Sequence, residues 1–131
     1  MTGGPVVLDA SAILALLNHE AGADAVAARL EGASISSVNW SEVVQKAISL
    51  GVDRPPADMR EDLAAVGLEV RDFSARQAEI AAGLWGSTRE VGLSLADRAC
   101  LALAIDLQVP VLTGDYAWRK LAIGIEVILI R

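Results

Sequence analysis

The hydrophobic positions of this chain fall into short unbroken runs that alternate with segments of helical periodicity. Continuous apolar runs of this length, without apolar–polar alternation, are typical of strands buried on both faces of a sheet. A further short segment, rich in β-branched and small residues, also favours a strand. The expected strands lie at 5–9 (PVVLD), 34–38 (SISSV), 68–72 (LEVRD), 109–115 (VPVLTGD) and 126–130 (EVILI).

Helical segments separate these runs. They are expected at 11–18, 24–31, 40–51, 57–67, 74–89 and 94–107. Gly51 stands where a glycine commonly ends a helix, and the Pro-rich stretch RPP at 54–56 is interpreted as a turn and not as a linker between domains. Strands that alternate with helices predict an α/β fold with a parallel sheet covered on both faces. At 131 residues the chain is expected to form one domain, 1–131.

Two of the expected strands combine a buried-looking run of Val and Leu with an acid at the end. Asp9 closes the first run, and Asp115 closes VPVLTGD. Right-handed crossovers bring the carboxyl ends of parallel strands to one edge of the sheet, and ligands bind in the crevice outside that edge. We therefore expect both carboxylates there, although an Asp after a strand also starts turns and caps helices.

Two further acids stand at expected helix starts. The segments NWSE at 39–42 and SLAD at 94–97 each match a capping box, in which the acid reaches back to the first residue of the box. Taken singly, Glu42 and Asp97 therefore also have a structural interpretation. A helix that follows a parallel strand starts at the edge where the strand ends, which predicts Glu42 beside Asp9. Spacing alone does not establish the same for Asp97.

Four carboxylates at one edge would need a cation. Neighbouring like charges raise one another's pKa and cost stability unless a cation neutralises them. Carboxylates and water suit Mg²⁺ or Mn²⁺. The sole histidine, His19, lies in the polar link NHEAG, and the sole cysteine, Cys100, is expected in a helix core. Zinc is therefore disfavoured.

The segments around these acids resemble a known family. Asp9 in VVLDASAILALL, Glu42 in SVNWSEVVQKA, Asp97 in LSLADRACLALA and Asp115 in VLTGDYAW resemble the four acidic motifs of a PIN domain, particularly of the VapC type of toxin ribonuclease. The resemblance covers nearly the whole chain, in order and spacing. It implies a three-layer α/β fold, with a five-stranded and mostly parallel sheet flanked by helices. It also implies a Mg²⁺- or Mn²⁺-dependent endoribonuclease, frequent homodimers, and neutralisation by a VapB-like antitoxin.

The same resemblance gives the four acids catalytic and metal-binding roles. Asp9 and Asp97 would be the principal metal ligands, and Glu42 would complete the site directly or through water. Asp115 would hold a second ion or orient the nucleophile. Hydrolysis would leave a 5′-phosphate and a 3′-hydroxyl. The family also has small polar residues that support these acids, which Ser11 and Thr113 resemble.

The acidic balance of the chain argues mildly against an RNA substrate. The net charge is −6, whereas nucleic-acid-binding domains usually show a basic footprint. Cations at the four acids would leave the rest of the surface only mildly acidic. Candidate phosphate contacts are Arg98, Arg119 and Lys120. Trp40 and Trp118 could stack on bases, although packing under a helix is the interpretation we favour.

Other classes of protein fit the sequence less well. A phosphatase of the haloacid dehalogenase type needs a second Asp two residues after the first, where this chain has Ser11. A response-regulator receiver needs adjacent acids and a lysine that LLNHE and GDYAW do not supply. The open alternative is a catalytically silent PIN-like module that binds RNA or a protein partner. Without an apolar run near 20 residues or a secretory signal, we expect a cytoplasmic protein.

Overall fold

Five strands form one sheet in the computed structural model, which describes residues 3–131. The expectation of no secretory signal depends in part on the first two residues of the chain. These two residues lie outside the described residues. All neighbouring strands are parallel, in the order β3-β2-β1-β4-β5, which confirms the predicted fold class. The strands are β1 (Val7–Leu8), β2 (Ser34–Ser36), β3 (Glu69–Arg71), β4 (Val111–Thr113) and β5 (Val127–Leu129).

Helices connect the strands in the alternation that the sequence predicts. They are α1 (Ala10–Leu17), α2 (Ala23–Ala27), α3 (Ser37–Ser49), α4 (Pro56–Ala65), α5 (Ala75–Gly83), α6 (Trp85–Thr88) and α7 (Leu95–Leu107), and a 3₁₀ helix (Tyr116–Lys120) follows β4. The single helix expected at 74–89 is wrong: it is two helices that break at Leu84, next to a glycine of low helix propensity. Among residues 3–131, no helix is long and apolar enough to span a membrane.

Hydrophobic cores lie on both faces of the sheet. Side chains alternate between faces along a strand, so that Val6 and Leu8 join one core while Val7 joins the other. The first core packs α1 and α3 against the sheet, and the second packs α7 and the 3₁₀ helix. This double coverage explains why the first run is apolar at successive positions. The strand ends at Leu8, directly before Asp9.

The start of α3 differs from the sequence prediction. The strand expected at 34–38 ends at Ser36, whose hydroxyl accepts the Val38 N–H (3.2 Å) and caps the helix. The capping box predicted at Asn39–Glu42 is therefore wrong, because Asn39 already lies within the first turn of α3. Ser36 supplies the cap, since a serine hydroxyl is among the best acceptors for the free N–H groups of a helix start.

Candidate metal centre

Asp9 is a buried carboxylate held by three hydrogen bonds. It follows β1, is 7% exposed and caps α1. Its Oδ1 accepts from the Ser11 hydroxyl (2.7 Å) and the Ala12 N–H (2.9 Å), and its Oδ2 accepts from the Thr113 hydroxyl (2.6 Å). An ionised carboxylate has about four acceptor positions. One position, on Oδ2, therefore remains for a cation.

The two hydroxyls connect Asp9 to the end of β4. The Ser11 hydroxyl accepts the Gly114 N–H (2.9 Å), and the Thr113 hydroxyl accepts the Asp115 N–H (3.0 Å). Each hydroxyl thus accepts from the backbone and donates to the carboxylate, which fixes the direction of its own proton. The carboxyl ends of β1 and β4 are locked together, and the backbone of Asp115 lies two hydrogen bonds from Asp9.

Burial and a neighbouring charge act on the protonation of Asp9. Burial raises the pKa of Asp9 above its ordinary value, and the negative charge of Asp97 raises it further, while the hydrogen bonds from Thr113, Ser11 and Ala12 oppose the rise. The carboxylate form is therefore stabilised only in part by the protein. A cation bound beside Asp9 would lower this pKa, because an opposite charge favours the ionised form.

Three of the predicted acids act together on one buried thiol. Burial raises the pKa of Cys100 well above its ordinary value, and the charges of Asp9, Asp97 and Glu42 add to the rise. Cys100 is fully buried in α7, as expected for a core residue. The position of α7 follows from geometry, because the Asn39 side-chain nitrogen in the first turn of α3 donates to the Ala96 carbonyl in the first turn of α7 (3.0 Å). Since α3 starts directly after β2, the start of α7 lies at the carboxyl edge of the sheet, which sequence spacing left open.

Asp97 takes part in the capping box that starts α7. The Asp97 N–H donates to the Ser94 hydroxyl (3.1 Å), and Asp97 Oδ2 accepts the Ser94 N–H (3.0 Å), which confirms the predicted capping box. Glu42 is exposed and accepts from the side-chain amide of Asn39 on Oε1 (3.1 Å). Asp97 and Glu42 thus each have a second carboxylate oxygen that these hydrogen bonds do not use.

Asp115 lies directly before the 3₁₀ helix that follows β4. It is exposed, and its Oδ1 accepts the Ala117 N–H (2.9 Å) to cap the 3₁₀ helix. Within residues 3–131, no three carboxylate, imidazole or thiol side chains form a ready-made metal cage. The donor set nevertheless fits Mg²⁺, which commonly keeps several waters and uses one or two carboxylates. Oxygen donors of this kind also suit Mn²⁺.

The proposed nucleic-acid contacts divide into buried and exposed side chains. Trp40 is 7% exposed and Trp118 is fully buried, so both pack in the cores and neither offers a ring face to a base. Arg98 donates through Nη1 to the Ala81 carbonyl on α5 (3.0 Å), which draws it away from solvent. Arg119 and Lys120 are exposed. The packing interpretation of the tryptophans is therefore confirmed.

Replacing Thr113 with Val should lower the free energy of unfolding by about 1–3 kcal/mol, because it leaves a buried carboxylate short of a hydrogen bond. Thr113 is fully buried and bonds Asp9 at 2.6 Å, and Val has nearly the same shape. Urea denaturation in the presence of a chelator measures the difference. Thr113→Ser, which keeps the hydroxyl, is the control. Equal stability of Thr113→Val and the original chain would show that the hydrogen bond is not stabilising.

Comparison with known proteins identifies the class to which this chain belongs. The chain belongs to the PIN domain family, whose family model matches residues 6–124. No curated protein matches the chain.

Chains of bacterial toxin–antitoxin complexes are among the solved structures with a similar fold. A chain of a toxin–antitoxin complex from Klebsiella pneumoniae aligns with a TM-score of 0.75 at 21% identity, over 96% of this chain and 98% of that one. A chain of DNA-bound VapBC from Salmonella typhimurium gives 0.72 at 17% identity, over 98% and 100%. A chain of VapBC-5 from Mycobacterium tuberculosis gives 0.57 at 20%, over 98% and 99%. Similarity at this level of identity shows the shared fold.

Proposed function

We propose that this PIN domain is a metal-dependent endoribonuclease of the VapC type, the toxin of a toxin–antitoxin pair. The observation that carries the proposal is the buried Asp9 carboxylate, which the Ser11 and Thr113 hydroxyls hold at the end of β1. Burial, and to a smaller extent the charge of Asp97, raises the pKa of Asp9. Such perturbed acids cluster at functional sites. The similarity to chains of VapBC complexes supports the toxin assignment.

The acids of the candidate metal centre would hold Mg²⁺ or Mn²⁺. Asp9 and Asp97 would be the principal ligands, and Glu42 would bind directly or through water. Asp115 would hold a second ion or orient the attacking water. When bound, such an ion lowers the pKa of its water and screens the phosphate charge. Thr113 contributes by holding the Asp9 carboxylate in one orientation, with one acceptor position left over.

Exposed cations beside the acids would contact the RNA backbone. Arg119 lies over the ring of Tyr116, with its guanidinium carbon 5.1 Å from the ring centroid, and Lys120 follows it. Both lie in the 3₁₀ helix that starts directly after Asp115. This local positive charge reduces the objection raised by the net charge of −6, because a phosphate near Asp115 would meet two cations.

The function is tested with the purified chain and single-stranded RNA. We expect internal cleavage with Mn²⁺ or Mg²⁺, no cleavage with a chelator, and products that carry a 5′-phosphate and a 3′-hydroxyl. Size analysis and susceptibility to a 5′-phosphate-dependent exonuclease identify the products. Binding of metal and RNA without cleavage, over a range of RNA sequences, would favour the silent PIN-like module instead.

An antitoxin would have both a groove and an apolar surface to bind. A groove between α1 and α3 is lined in part by Leu14, Glu42 and Lys46. At the end of α3, Ile48, Leu50 and Val52 are 67%, 58% and 48% exposed. Exposed apolar residues close together often mark protein interaction sites. We propose that a VapB-like antitoxin covers this surface and lays an extended basic segment toward the acids, and that the chain forms a homodimer.

Inhibition by such a basic segment should weaken as salt rises, because screening shortens the range of charge attraction. We expect a basic peptide to inhibit cleavage in low salt and to lose at least about tenfold in affinity between 50 and 500 mM salt. Fluorescence anisotropy of the labelled peptide measures this affinity. A peptide with its basic residues replaced by Gln is the control. Binding that does not change with salt would contradict this route of inhibition.

A further inference from the structure

Asn39 links two of the elements that carry acids. It lies in the first turn of α3, is 1% exposed, and its side-chain nitrogen donates to Glu42 Oε1 (3.1 Å) and to the Ala96 carbonyl (3.0 Å). Residues three positions apart share a helix face, which explains the bond within α3. Ala96 belongs to the first turn of α7 and directly precedes Asp97.

The orientation of this amide is fixed by its surroundings. An amide nitrogen has two donors and its oxygen has none. If the Asn39 amide were flipped, its oxygen would point at the Glu42 carboxylate and the Ala96 carbonyl, and neither hydrogen bond could form. Asn39 Oδ1 has no hydrogen-bond partner among residues 3–131. A buried amide with an unpaired oxygen is a costly way to join two helices. Selection for stability alone would favour an apolar residue here.

We propose that Asn39 is a positioning residue, which holds the Glu42 carboxylate in place against the acid-bearing start of α7 and thereby strengthens divalent-cation binding. The inference rests on the proposed function, because it takes Glu42 as part of the metal centre. Glu42 is exposed and has a long side chain, and such a side chain samples many rotamers in solvent. A bond to a buried, fixed donor restricts one carboxylate oxygen and leaves the other for the cation.

Gln77 offers a closely matched control. It is also a buried amide, 6% exposed, and its nitrogen donates to a carboxylate on α7, that of Asp106 (3.2 Å). Its Oε1 also has no hydrogen-bond partner among the described residues. Gln77 thus joins α5 to α7 as Asn39 joins α3 to α7. Its carboxylate partner lies nine positions after Asp97 and is not one of the four proposed ligands.

The experiment compares Mn²⁺ affinity in Asn39→Leu and Gln77→Leu, measured by isothermal titration calorimetry without RNA. Residues that hold a metal ligand in place typically contribute about 10–100-fold in metal affinity. We expect Asn39→Leu to bind Mn²⁺ at least about tenfold more weakly than the original chain. Gln77→Leu should bind as the original chain does. Thermal unfolding with a chelator checks that both variants fold, and Asn39→Ser replaces Asn39→Leu if the latter does not.

A double-mutant cycle with Glu42→Ala distinguishes positioning from general loosening. If Asn39 acts through Glu42, Asn39→Leu should change Mn²⁺ affinity by less than about twofold once Glu42 is Ala. Equal losses in Asn39→Leu and Gln77→Leu, or a full loss that persists in the Glu42→Ala background, would overturn the inference and leave the proposed function standing. An original chain that binds no Mn²⁺ would overturn both.

Discussion

Asp9→Asn is expected to reduce metal-dependent RNA cleavage by about 10²- to 10³-fold, because metal-assisted charge stabilisation contributes several kcal/mol and each 1.4 kcal/mol is tenfold in rate. The substitution replaces one carboxylate oxygen with an amide nitrogen. It removes the negative charge at the most buried acid of the site, which is 7% exposed. Single-turnover cleavage of a labelled RNA at saturating Mn²⁺ measures the loss, with Asp97→Asn as a second variant expected to behave similarly.

The fold of Asp9→Asn should remain intact, because Asn is as good a helix cap as Asp. The pKa of Asp9 is raised in the folded chain, so ionised Asp9 opposes folding. The stability contributed by protonated Asp9 is fully present below the unfolded pKa and is lost as pH rises through the folded pKa. Without metal, Asp9→Asn should therefore unfold at a higher temperature than the original chain at pH 7. This advantage should shrink as pH falls toward 3.8, the ordinary pKa of Asp.

Asp106→Asn is the matched control for the loss of cleavage. Asp106, like Asp97, is an acid on α7, but it bonds Arg76 at 2.8 Å and Gln77 at 3.2 Å, and these bonds lower its pKa. We expect this variant to cleave RNA at the original rate. Undiminished cleavage by Asp9→Asn, or an equal loss in Asp106→Asn, would contradict the assignment of Asp9 as a metal ligand.

The positions of Asp9 and Asp115 could be predicted from the sequence because both depend on strand ends. A buried run of Val and Leu marks the strand, and parallel topology sends every carboxyl end to one edge. The capping box at Ser94 was equally local, and it is confirmed. Local patterns of this kind need only a few neighbouring residues. Such patterns can therefore be recognised without knowledge of the tertiary packing.

The parts that could not be predicted depend on contacts between distant segments. Asn39 matched a helix cap, but Ser36 competes for the same role and wins, which leaves the amide free to reach the Ala96 carbonyl on α7. Arg98 was a candidate phosphate contact, and only the packing of α5 on α7 brings the Ala81 carbonyl within its reach. No spacing in the sequence encodes these pairings, because 57 and 17 residues separate the partners.

Trp118→Ala should lower the free energy of unfolding by about 3–5 kcal/mol, as expected when a large aromatic side chain is removed from a core. Trp118 is fully buried in the core formed with α7, and it belongs to the 3₁₀ helix that Asp115 caps. A domain has only about 5–15 kcal/mol of stability in total. The loss should also release the segment that carries Asp115, Arg119 and Lys120. Chemical denaturation measures the first effect.

Trp118→Phe separates packing from base stacking, the two roles that the sequence allowed. Trp118 Nε1 has no hydrogen-bond partner among residues 3–131, so Phe removes an unsatisfied donor and keeps most of the buried ring. We expect a much smaller loss of stability than in Trp118→Ala, and an unchanged KM for RNA. A raised KM with unchanged stability would mean that the ring contacts bases. Because the ring is fully buried, that contact would require the 3₁₀ helix to leave the core.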